Sequence, residues 1–277
     1  MRASNSLAIG LLLAACFAGP AAAQELSKDE QKCVNFANKG VEKIASKHLM
    51  MILKCAAAYA KDKGVANIEE CAAPAVAAVL VKVEDGAAAK CEIWPTWPDI
   101  PGEFYYRAVT PPFSLTSNLF GSFETGLRKC SDDPEGAGCK CQGTVLKTTA
   151  KLFNFYLKGF NKCTKSGLKA AGTEQIVDTD GLLACLIDPA EFDPKAKHAK
   201  LLEKSTSALA KGCAPIADPL PDSYECAGKR GEALALCLDQ RTRCQVCAMI
   251  NDVDGMSNYP ACDTFDDGIE NMSCFGA

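Results

Sequence analysis

Residues 32–55 read KCVNFANKGVEKIASKHLMMILKC, and residues 140–163 read KCQGTVLKTTAKLFNFYLKGFNKC. Each stretch opens and closes on a Lys-Cys dipeptide: Lys32-Cys33 and Lys54-Cys55 in the first, Lys140-Cys141 and Lys162-Cys163 in the second. In both, the two cysteines stand twenty-two positions apart, and no proline lies between them. Apolar residues recur at three- and four-residue steps. They include Val41, Ile44, Leu49 and Ile52 in the first, and Val145, Leu152, Phe153, Tyr156 and Phe160 in the second. That period belongs to an amphipathic helix, whereas a half-buried strand would alternate.

The spacing has a geometric consequence. At ~100° and ~1.5 Å per residue, two cysteines twenty-two apart differ by about 40° around a helix and stand ~33 Å apart along it. They share one face, one near each end. A second pair of cysteines follows each stretch, Cys71 and Cys91 after the first, Cys185 and Cys213 after the second. Turn signals separate the halves at Lys63-Gly64 and at Ala171-Gly172. An antiparallel helical hairpin brings inner cysteines together and outer cysteines together. The predicted pairs are Cys55–Cys71 with Cys33–Cys91, and Cys163–Cys185 with Cys141–Cys213. Cys71 and Cys91 are twenty apart, about 160° from each other on one continuous helix. The first return leg is therefore expected to break, at Pro74 or at Asp85-Gly86. The second is expected to break at Asp188-Pro189 and Asp193-Pro194.

The segments between and after the hairpins differ in character. Residues 93–101 hold both tryptophans and three prolines, and Pro111 and Pro112 follow. Prolines this dense predict an extended connector, with a helix resuming near Ser114 and running to about Cys130. A short loop then makes Cys130–Cys139 a natural local bridge. Trp94, Trp97, Tyr105 and Tyr106 form a candidate platform for a sugar, a Pro-rich peptide or a partner surface. The same aromatics serve equally as a strap packed across the hairpins. A second Pro-rich connector begins at Ala214, and a helix over 230–249 follows. Cys226, Cys237, Cys244, Cys247, Cys262 and Cys274 lie in this last section, and fifteen pairings are open to them.

The N-terminus reads as a secretory signal: Arg2, an apolar stretch over 7–18, then small residues. Ala21-Ala22-Ala23 offers an ordinary cleavage site after residue 23, and Leu13-Ala14-Ala15-Cys16 offers a lipobox that would place a lipid on Cys16. The apolar stretch falls short of the ~20 residues a membrane span needs. Of seventeen cysteines, sixteen lie beyond Cys16, and an even number in an exported chain argues for a disulfide framework. The expected divisions are a signal over 1–23, a hairpin over 24–92, a connector and helix over 93–129, a second hairpin over 130–213, and a C-terminal module over 214–277. With 30 Lys+Arg against 34 Asp+Glu and a net charge of -4, the chain carries no basic block, so no nucleic-acid partner is expected.

Few residues suggest chemistry. Cys244-Gln245-Val246-Cys247 has the C-x-x-C spacing of a redox pair, but it falls deep within a helical pattern and not at a helix start. With Cys262 and Cys274 the pair also has the composition of a four-thiolate zinc site. Asp263, Asp266 and Asp267 are calcium candidates by composition, although the EF-hand register fails. His48 lies about 60° from Cys33 and borders the hairpin interface, and His198 sits among lysines on a solvated helical face. No metal or cofactor is expected. Nucleophile-elbow, phosphate-loop and dinucleotide motifs do not occur in the sequence.

The ending Cys244-x-x-Cys247, Cys262-Asp263-x-x-Asp266-Asp267-Gly268, then Asn271-x-Ser273-Cys274 resembles the tail of uncharacterised cysteine-rich exported bacterial proteins. The likeness covers about the last forty residues, implies bacterial export, and carries no activity with it. Together these readings predict an all-α fold of two disulfide-bolted antiparallel helical hairpins plus a small cysteine-rich C-terminal module. The expected role is a non-catalytic binding or structural protein, periplasmic, outer-membrane-attached or extracellular, with a protein or glycan at the cell surface as partner. The alternative is an enzyme: a thiol-disulfide oxidoreductase using Cys244 and Cys247, or a hydrolase with an acidic site.

Overall fold

A computed structural model describes residues 26–95, 104–121, 126–133, 135–170, 174–214, 216, 226–256, 259–271 and 274. Its described residues are helical, with no strand among them. Helix α1 (Lys28–Ala60) starts at a capping box, where the Ser27 hydroxyl accepts from the Glu30 N–H and the Glu30 carboxylate accepts from the Ser27 N–H. Its stripe of Val34, Ala37, Val41, Ile44, Ala45, Leu49 and Ile52 is fully buried. The chain turns at Asp62 and Gly64, both with positive φ, and re-enters helix at Asn67, whose side chain accepts from the Glu70 N–H. Helix α2 (Ile68–Lys90) then packs back along α1. Bridges Cys55–Cys71 and Cys33–Cys91 fasten the two ends, at Cα separations of 6.0 and 4.9 Å.

The expected break in α2 is absent. The helix runs unbroken through Pro74 and Gly86, and the problem of the twenty-residue spacing is solved at its end. Cys91 lies one residue beyond the helix with φ -111° and ψ 58°, which swings its side chain back toward Cys33. Pro74 is tolerated because it and Glu70 are both exposed, so the carbonyl left without a donor faces water. Gly86 is required for close packing, since a Cβ there would stand 2.5 Å from the Phe36 ring.

The connector also departs from expectation. It contains a short helix α3 (Phe104–Arg107) and then α4 (Thr110–Phe120), which begins four residues earlier than Ser114 and includes both prolines. Pro111 and Pro112 occupy the first turn, where the missing N–H groups would have had no helical partner. The helix does not continue to Cys130. It stops at Gly121, whose φ of +68° other residues rarely adopt, and Cys130 opens a single 3-10 turn bridged to Cys139.

The second hairpin is built on α5 (Ala137–Gly167), whose buried apolar face carries Leu152, Phe153, Tyr156, Leu157 and Phe160. Its return leg is three helices, α6 (Thr179–Ile187), α7 (Pro189–Phe192) and α8 (Lys197–Cys213). Asp178 caps α6 through the Gly181 N–H, and Asp188 caps α7 through the Ala190 N–H. Bridges Cys163–Cys185 and Cys141–Cys213 fasten the two ends.

Helix α9 (Gly231–Val253) is buried on most sides, packing on α5, α8, α3 and α4, and α10 (Tyr259–Asp267) covers it. Bridges Cys226–Cys237, Cys247–Cys262 and Cys244–Cys274 tie this section together. One continuous hydrophobic cluster runs from Leu26 and Val34 of the first hairpin to Val253 and Cys262. No helix among the described residues is long and apolar enough to cross a membrane.

Candidate functional site

The two longest described helices, α1 and α5, meet each other. α1 and α5 lie antiparallel, joined by a polar seam in which the Asn161 amide donates to the Glu42 carboxylate (2.9 Å) and to the Asn38 carbonyl (3.3 Å), and the Ser46 hydroxyl donates to Asn154 Oδ1 (2.6 Å). Toward the start of α1 this seam opens into a groove of about 850 Å³, closed on its third side by the end of α2 and residues 92–93. Lysines dominate it. Lys158, Lys162, Lys165 and Lys169 follow the i, i+4, i+7, i+11 rhythm of one helix face, with Lys169 just past the end of α5. Lys32 and Lys39 face them from α1, and Lys90 stands over the Phe36 ring at 5.1 Å.

Seven lysines in the groove meet three acids, Asp29, Glu42 and Glu92. Lys32 is paired with Asp29 at 2.7 Å. Among the described residues, Lys39, Lys158, Lys162, Lys165 and Lys169 have no carboxylate within salt-bridge distance. A chain of net charge -4 thus gathers uncompensated positive charge in one concave place. Concavity matters electrostatically, because low-dielectric walls focus the field of the ammonium groups into the cleft and attract anions.

Asn38 reaches from this groove toward the core. Its side-chain oxygen is buried without a hydrogen-bond partner, and it neighbours Asp254, 2% exposed, whose two oxygens also have none. Burial pushes the Asp254 carboxyl up to about 7, with the Asn38 amide pulling weakly the other way. Since the folded state holds the carboxyl proton more tightly than the unfolded chain, the stabilisation is complete below about pH 4. It is lost as pH rises toward 7, at roughly 1.4 kcal/mol per unit. His48 acts in the opposite sense. Burial lowers its pKa while Nδ1–H donates to the Val109 carbonyl (2.7 Å), so its contribution is lost as pH falls below about 6.5. Asp254→Asn is expected to flatten the decline between pH 4 and 7 and to raise stability at pH 7.5 by about 2 kcal/mol in urea unfolding. An unchanged pH slope in that variant would remove Asp254 as its origin.

A second polar cluster borders the core, with the His198 side chain 32% exposed. The Tyr156 hydroxyl donates to Asp239 Oδ1 (2.8 Å), and His198 Nε2 lies 2.8 and 3.0 Å from the two Asp239 oxygens and 2.9 Å from the Tyr156 oxygen. Phe155 stacks on the imidazole, and Arg243 lies over Phe265 at 3.7 Å. Burial and the Asp239 charge raise the Tyr156 pKa, so the phenol stays protonated and donates. His198 was expected on a solvated face. It turns inward because α8 follows the Asp193 turn, where the Asp193 carboxylate accepts from the His198 N–H and brings the ring over Asp239. The cluster couples α5, α8 and α9, and none of the three residues lines the groove.

The remaining candidate residues fall as follows. Cys244 and Cys247 are bonded to Cys274 and Cys262, so the four form two bridges and no thiolate set for zinc. Asp263 is fully buried and accepts from the Asn271 and Cys274 N–H groups, and Asp267 accepts from the Ile269 N–H and the Asn271 amide. These carboxylates hold the C-terminal segment in place, and among the described residues no group of three or more acids, cysteines or histidines could hold a metal ion. The side chain of Asp266 lies outside the described residues. Trp94 is 37% exposed and Tyr106 is 54% exposed, while Trp97 and the Tyr105 side chain lie outside the described residues. The segment expected to be a signal, residues 1–23 with Cys16, lies outside them as well. Compared with known proteins, the chain matches no family model, no curated protein and no solved structure.

Only half of the lysine groove is visible in the sequence. The helical rhythm of Lys158, Lys162, Lys165 and Lys169 can be read directly, but as a solvated face. What turns it into a site is the packing of α1 and the end of α2 opposite, which no local pattern reveals.

Proposed function

We propose that this chain is an exported, non-catalytic binding protein of the cell envelope or extracellular space, and that its ligand is an anion held in the lysine groove between α1 and α5. The observation that carries the reading is the convergence of five lysines without carboxylate partners on one concave surface of an acidic protein. Eight bridges are consistent with an oxidising compartment. The separate bridging of Cys244 and Cys247 speaks against thiol–disulfide exchange as the activity.

Calorimetric titration with inorganic pyrophosphate at low ionic strength tests this. The double charge reversal Lys162→Glu with Lys165→Glu should weaken binding by about tenfold or more, since both side chains are exposed and the fold does not depend on them. Raising salt to about 0.3 M should weaken the native protein's binding by screening. Equal affinity of native and reversed proteins would refute the groove as the site.

A further inference from the structure

Beside the groove, and sharing Lys158 with it as a lining residue, lies a second trough of about 700 Å³ along the same α1–α5 seam. This trough has a different chemistry. Met50 and Leu53 of α1, Ala150 and Phe155 of α5 and Leu201 of α8 line it, and Met50 is 43% exposed. Its charged lining residues are Lys47, Lys151 and Lys158, and no carboxylate is among them. Lysine stems add methylene surface while their ammonium groups stay in water. A methionine in such a wall adapts to the shape of whatever lies against it.

From Lys39 to Leu53 the track covers fourteen residues of α1, or ~21 Å. It is positive at one end, apolar at the other, and without acid along the apolar part. We propose that the ligand is a single-chain anionic amphiphile, its head group among Lys39, Lys162 and Lys165 and its alkyl chain laid along Met50, Leu53 and Phe155. This rests on the anion reading of the groove and extends it. Charge complementarity selects the anionic head, and the adjacency of the two cavities, which share Lys158 in their walls, selects a chain attached to it. A free anion leaves the trough unused. A neutral amphiphile leaves the five lysines unused.

The test is a homologous series of alkyl phosphates from butyl to decyl, each below its micelle concentration, titrated calorimetrically into the full protein. Burial of a methylene in an open trough should raise affinity about twofold, roughly half the effect of complete burial. Decyl phosphate should therefore bind about sixty times more tightly than butyl phosphate. Met50→Asn, a change at an exposed position, should cut that ratio at least fivefold and leave butyl phosphate unaffected. The Lys162→Glu, Lys165→Glu protein should lose affinity for every member of the series.

Affinity independent of chain length, with pyrophosphate still bound and lysine-dependent, would overturn the amphiphile and leave the anion site standing. Chain-dependent binding indifferent to the lysine reversals would overturn both, as would no binding of any probe. Binding to vesicles of anionic phospholipid with none to monomeric decyl phosphate would also overturn the proposal, because it would assign the surface to a bilayer and not to a single chain.

Discussion

A variant with alanine at Cys33, Cys91, Cys141 and Cys213 is expected to be largely unfolded at 37 °C. These are the outer bridges of the two hairpins, and they close loops with sequence separations of 58 and 72 residues. In the chain-entropy picture each is worth roughly 4 kcal/mol, and together they approach the whole stability of an ordinary domain, about 5–15 kcal/mol. The inner bridges Cys55–Cys71 and Cys163–Cys185, with separations of 16 and 22, are each worth about 3 kcal/mol. α2 shows why the bolts matter. It is lined by Ala72, Val76, Val83 and Ala87, and such small side chains bury little area against α1. Thermal melts followed by circular dichroism decide the point. A midpoint within a few degrees of the native protein would mean that helix packing alone holds the hairpins.

Replacing Asp239 by alanine should cost about 3–5 kcal/mol in urea unfolding. The substitution removes the buried acceptor shared by the Tyr156 hydroxyl and His198 and leaves those two groups only each other. Asp239→Asn keeps an acceptor oxygen and should cost about half as much. Tyr156→Phe, which removes a donor but leaves Asp239 facing His198, should cost about 1–2 kcal/mol. A loss below 1 kcal/mol in the alanine variant would show that the cluster is wet and contributes little to holding α5, α8 and α9 together.

The bolted hairpins were legible because the Lys-Cys repeat and the 3.6-residue rhythm report on the same face of the same helix, and both are local. The errors came from places where tertiary context overrides a local rule. Pro74 did not break α2, since its unpaired carbonyl partner faces solvent. Pro111 and Pro112 did not exclude helix, since they fall in a first turn. The Tyr156–His198–Asp239 cluster joins residues separated by 42 and 83 positions, and nothing in their neighbourhoods marks them. The central place of α9 was equally hidden. Its apolar content is read easily, but the helices it contacts are distant in sequence and no local pattern names them.

The groove illustrates the same limit at the level of function. A lysine stripe on one helix is ordinary surface until a second helix and the end of a third stand across from it. Here α1 and α5 face each other antiparallel, and the groove lies at their shared seam.

The central claim, that this seam binds an anion, is tested most directly by amide chemical-shift mapping during a pyrophosphate titration. The account predicts concerted shifts in two stretches distant in sequence, around residues 32–42 and 158–169, that saturate with one constant and fade as salt is added. Shifts confined to the lysine-rich surface of α8, or spread evenly over all exposed lysines, would contradict it.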